Sequence, residues 1–81
     1  MLSVEHGRVV RSLAGKEKGT LMAAVGFTDR VVLLADGRQR PLERPKRKNI
    51  RHVALTEYVL APGEMATNRG LRRALRALES E

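Results

Sequence analysis

The chain has 81 residues, with sixteen Lys and Arg against nine Asp and Glu, a net charge of +7 and no cysteine. A chain this short buries only about 60% of the surface it exposes when unfolded, which leaves one small core and no room for a second large domain. Without cysteine there is no disulfide framework or thiolate zinc site, no apolar run reaches the roughly 18 residues of a membrane span, and "MLSVEHGRVV" lacks the apolar stretch of a signal peptide; the expectation is a soluble cytoplasmic protein, monomeric when free.

The first half reads as strands. "HGRVVRSL" is short and β-branched, and after it "GKEKGT", Gly15 to Thr20, sets two lysines between two glycines. A Walker A loop would place Gly-Lys-Ser/Thr at the start of a helix. Here Lys18 precedes Gly19 and the residues after Thr20 alternate like a strand, so the stretch reads as a turn in which glycine supplies positive φ. Turn chemistry does not ask for Lys16 and Lys18, which with Arg8 and Arg11 on the preceding strand would project a basic edge. In "TLMAAVGF", Leu21, Ala23, Val25 and Phe27 fall at period two, so Phe27 is expected in the core, with Gly26 at a bulge or bend.

"VVLLA", Val31 to Ala35, suits a strand covered on both faces, and Asp36-Gly37 is a hairpin signal. "RQRPL", Arg38 to Leu42, is expected as an edge strand because Pro41 has no N–H to give a ladder. "KRKN" reads as an exposed loop and "IRHVAL", Ile50 to Leu55, as the fifth strand. Five short strands joined mostly by tight turns predict a small all-β barrel.

Behind the Pro62-Gly63 punctuation, Thr67 or Asn68 can cap a C-terminal helix. Leu71, Ala74, Leu75 and Leu78 share one face; Arg69, Arg72, Arg73 and Arg76 share the other. The leucines either dock on the barrel or await a protein or RNA partner. Gly70 and the loose "APGEMATN" linker favour the second reading, with the helix disordered when free.

The charge is concentrated. Residues 1–37 hold five bases and four acids and residues 53–81 hold four of each, so the excess lies in "RQRPLERPKRKNIRH". There Arg38, Arg40, Arg44, Lys46, Arg47, Lys48 and Arg51 face only Glu43, the footprint of a polyanion site. Catalysis finds no support: His6 and His52 have no cysteine or spaced carboxylate to form a metal set, and no nucleophile has a base at readable spacing. No cofactor is implied.

"GRVVRSLAGKEKGTLMAAVGF" resembles the KOW motif of ribosomal proteins and transcription elongation factors: a strand opened by Gly7, the loop Gly-Lys-x-Lys-Gly, and a second strand. "VVLLADGRQRPL" with "HVALTEYVL" is similar to the small KOW-bearing large-subunit ribosomal proteins of archaea and eukaryotes and to short bacterial KOW-domain RNA-binding proteins. The resemblance spans residues 6–60. It implies a five-stranded SH3-like barrel over residues 4–60; the linker and amphipathic helix over 61–81 lie outside the resemblance and are read from the residue pattern alone. It also implies RNA contact at Lys16 and Lys18, with close backbone approach at Gly15 and Gly19.

Together these readings predict a non-enzymatic binder of structured RNA, with ribosomal RNA of the large subunit as the expected partner. Its contacts would be Arg8, Arg11, Gly15, Lys16, Lys18, Gly19 and the basic segment from Arg38 to Arg51. With few aromatic residues, recognition would rest on phosphates and RNA shape. A protein-interaction adaptor of the transcription or translation machinery is the alternative, and duplex DNA is a third target that positive charge alone does not distinguish.

Overall fold

Strand β1 (Arg8–Ser12) lies inside the sheet, where it carries β-branched valines to both faces and pairs on both edges. The computed structural model describes residues 1–80. β2 (Leu21–Phe27), β3 (Val31–Ala35), β4 (Lys46–Asn49) and β5 (Val53–Val59) complete one antiparallel sheet in the order β4-β3-β2-β1-β5, and a helix, α1 (Asn68–Glu79), follows. No helix among the described residues is long and apolar enough to cross a membrane.

Register divides the core into two layers. Val9 pairs with Ala23 and Ala23 with Ala35, a row of small side chains on one face. Against it pack Leu60, Met65, Leu71 and Leu75. The opposite face holds Val10, Met22, Ala24, Val32, Leu34 and Val53. β2 is therefore buried on both sides over its first four residues, which an alternating reading of that strand misses.

The sheet is not closed: among the described residues no ladder joins β4 to β5. It is nevertheless strongly curled. Laid flat, four strand gaps would put the two edges about 19 Å apart. A single 3₁₀ turn, Ile50–His52, carries the chain from β4 to β5, and such a turn advances only about 6 Å. The edges must therefore approach each other at this corner, and the inner layer of apolar side chains fills the curl.

Four expectations are corrected. Arg38 to Leu42 forms no strand, because its backbone groups are satisfied locally: Asp36 Oδ1 accepts from the amides of Arg38 and Arg40, and Asn68 Oδ1 accepts from Leu42 N. Lys46–Asn49 is the edge strand instead of an exposed loop, paired with Val31–Leu34. The last strand begins at Val53, after the 3₁₀ turn, and not at Ile50. Phe27 is 50% exposed, because the bulge between Ala24 and Gly26 slips the phase by one residue and sets it opposite Val32 at the end of the ladder.

The helix is docked, contrary to the expectation that it orders only on binding. Thr67 caps it, accepting from Gly70 N at 3.0 Å. Asn68 fastens its first turn to the 42–43 segment, accepting from Leu42 N and donating to Glu43 Oε1. Gly37, at φ +78°, lies so close to the Asn68 carbonyl that no Cβ fits between them. Leu71 is 0% exposed, and full burial of a leucine contributes about 1.5–3 kcal/mol.

Leu71→Ala is expected to destabilise the whole protein by about 2–5 kcal/mol, read as a lower urea midpoint in a single transition. A loss confined to the helical circular-dichroism signal, with the sheet unfolding at an unchanged midpoint, would contradict the shared core.

Candidate nucleic-acid interface

The "GKEKGT" turn is organised by its one acidic residue. Glu17 is only 6% exposed and lies between two cations, Arg40 NH2 at 3.3 Å and Lys48 Nζ at 3.5 Å. Lys48 also donates to the Ala14 carbonyl at 2.7 Å. Backbone bonds close the turn around this anchor: Ser12 N donates to Thr20 O, Gly19 N to Ser12 O, and Thr20 N to Glu17 O. Gly15 and Gly19 both sit at positive φ, +79° and +87°, where a side chain would be strained.

With Glu17 turned inward, Lys16 and Lys18 on either side of it face solvent. Arg11 is exposed as well, donates to Gly19 O at 2.6 Å and lies 3.9 Å from Glu79 on α1. The loop is thus fixed to β1, β4 and the 38–40 segment while its lysines remain free to meet an anion.

Burial pushes the Glu17 carboxyl up. The hydrogen bond from Arg40 and the charges of Lys48 and Arg40 outweigh that and hold the group below its ordinary value. An unfolded chain therefore binds more protons than the folded one through this interval, so stability rises with pH. The contribution is complete above about pH 4.3, the ordinary glutamate value, and is lost as pH falls through the depressed folded value.

The structure separates the residues expected to contact RNA. Arg8 is only 7% exposed and its guanidinium is spent inside the fold, donating to Ser3 O, Thr56 O and Glu5 Oε2. Lys48, at 8% exposed, belongs to the Glu17 anchor. Neither presents its charge to a ligand, which corrects the expectation for both. Arg40 is half-buried at the same anchor, and Lys46 is half-buried on the strand edge.

Arg38, Arg44, Arg47 and Arg51 are exposed, but they do not form one patch. Arg47 lines a hollow with Phe27, Val31 and Leu33. Arg51 lies beside Arg30 and Asp29 at the corner of the 3₁₀ turn. Arg38 joins a group the charge count overlooked: it shares a concave surface of about 470 Å³ with Arg69, Arg72, Arg73 and Arg76 of α1. Their common helical face was visible in the sequence. Summing charge over residues 53–81 hid it, because Glu57, Glu64, Glu79 and Glu81 offset the arginines in number.

An adjoining hollow places Arg38, Arg72 and Arg76, with the carboxylates of Asp36 and Glu79, beside Thr20 and Leu21 at the foot of the turn. The helix arginines thus reach the C-terminal end of the turn that carries the loop lysines. No protein-family model matches the chain, and no curated protein matches it at a significant level.

Glu17→Gln is expected to remove about 2 kcal/mol at neutral pH, a fall of roughly 8–16 °C in thermal midpoint for a domain of this size. The gap between variant and parent should narrow as pH drops below about 4.3, where the parent loses the same interaction. A gap independent of pH would contradict a stabilising carboxylate.

Proposed function

We propose that the protein is a non-enzymatic RNA-binding module of the KOW type, acting in the cytoplasm on structured RNA, with ribosomal RNA of the large subunit as its target. The observation that carries this reading is the loop itself: Lys16 and Lys18 project to solvent from a turn whose intervening Glu17 is anchored beneath it. A rigid basic loop positions phosphates without paying side-chain order in the backbone as well.

The SH3-like barrel belongs to the same proposal. The sheet order β4-β3-β2-β1-β5 and the single 3₁₀ turn between the outer strands support it. So does the inner layer of apolar side chains enclosed by the curl. The resemblance of "GRVVRSLAGKEKGTLMAAVGF" to the KOW motif supports RNA over DNA, a choice that charge alone does not make.

A second reading, a protein-interaction adaptor, has one observation in its favour. Phe27, Val31 and Leu33, with Thr28 and Arg47, line a shallow, partly apolar hollow of about 220 Å³ away from the basic loop. Such a surface suits a side chain from a partner protein, and the two readings can hold together.

Binding to a short RNA stem-loop is expected to weaken steeply with salt, log K falling against log salt with a slope of about −5 to −6 for roughly seven neutralised phosphates. A duplex DNA of equal length should compete poorly. Salt-independent or absent RNA binding would overturn the reading, and equal competition would move it to nucleic acid in general.

A further inference from the structure

The arginine face of α1 is a cost to the free protein. Arg69, Arg72, Arg73 and Arg76 recur at spacings of three and four, which sets like charges against one another on adjacent turns. The first turn holds no acidic residue, so Arg69 opposes the positive end of the helix dipole uncompensated, and of the four only Arg76, in the last turn, has the dipole in its favour. None of these four side chains, nor Arg38 beside them, makes a hydrogen bond or salt bridge among the described residues. The other face of the helix accounts for its docking through Leu71 and Leu75, so nothing in the folding of the domain calls for the arginines.

We propose that the concave surface formed by Arg38, Arg69, Arg72, Arg73 and Arg76 is the principal phosphate-binding site of the protein, and that it holds an RNA backbone continuous with the one met by Lys16 and Lys18. This rests on the RNA-binding reading above and assigns most of its affinity to the helix in place of the Arg38 to Arg51 segment. Five planar guanidinium groups around one concavity match phosphate oxygens in bidentate fashion. The adjoining hollow brings Arg38, Arg72 and Arg76 to Thr20 at the foot of the loop, and the Asp36 and Glu79 carboxylates that also line it bound the site on that side and leave its arginine-only part to the first concavity. A membrane surface is a poorer fit, because the apolar face that an interfacial helix would insert is already buried. Together the five arginines and two loop lysines supply the seven charges of the expected salt slope.

The test compares three proteins on a short RNA stem-loop and on vesicles of anionic lipid: the parent, the variant Arg69→Gln, Arg72→Gln, Arg73→Gln, Arg76→Gln, and the variant Lys16→Gln, Lys18→Gln. Glutamine keeps helix propensity close to that of arginine, so the fourfold variant should fold with an unchanged or raised thermal midpoint. Its RNA affinity should fall on the order of 100-fold at physiological salt, and its salt slope should shrink by about 3 to 4. The loop variant should lose only about 1 to 2 of slope.

Parent binding that is steep in salt, with the fourfold variant unchanged, overturns the helix site and leaves RNA binding standing. Absence of RNA binding by the parent overturns both. Tighter binding of the parent to the vesicles than to RNA, lost in the fourfold variant, assigns the arginines to lipid and overturns the proposal. Should the fourfold variant unfold, Arg69→Gln with Arg73→Gln alone is expected to give about half the change in slope, and an unchanged slope in that folded pair overturns it equally.

Discussion

Glu17 and its two cations tie together parts of the chain that lie far apart in sequence. Glu17 belongs to the turn between β1 and β2, Arg40 to the irregular segment after β3, and Lys48 to the edge strand β4. A carboxylate this well covered requires its partners, because removing either would leave charge uncompensated in a poorly hydrated site. The geometry of the turn follows. Its middle residue points inward, the glycines at its two ends permit the reversal, and the lysines on each side are turned outward by the same backbone. The cluster thus gives structural reach to a loop that would otherwise be a mobile tip.

Sequence patterns disclosed β1, the start of β2, β3 and the apolar face of α1, since each is written in side chains whose burial has the expected period. They failed where a backbone group or a cation did the work of an apolar residue. β4 was hidden because its inward position is Lys48, whose charge is matched by Glu17 far away in the sequence. The segment Arg38 to Leu42 resembled a strand, but Asp36 and Asn68 side chains take the amides a ladder would use. Phe27 was misplaced by one inserted residue, Val25, although Gly26 marked the irregularity.

The candidate site shows how charge counted along a chain differs from charge in space. The densest basic segment is divided among the Glu17 anchor, the Phe27 hollow and the corner at Ile50. Arg8, on a strand that looked like a basic edge, instead binds the N-terminal segment to β5. The arginines of α1, cancelled on paper by glutamates in the same window, share one concave surface with Arg38. Helical phase, not window composition, was the relevant quantity, and the docking of the leucine face decides which way that phase points.

That docking also bears on how the chain acquires its structure. β1 pairs with β5 across most of the sheet-forming chain, Arg8 with Val59 and Ser12 with Val53. The row of Val9, Ala23 and Ala35 is covered by leucines that come later still. Long-range closure of this kind slows folding relative to a helical bundle of equal size. During synthesis Leu71 and Leu75 emerge after everything they cover, so one apolar face of the sheet stays open to water until the last helix arrives. The interval between the appearance of β5 and that of α1 is when the nascent chain is most exposed to aggregation.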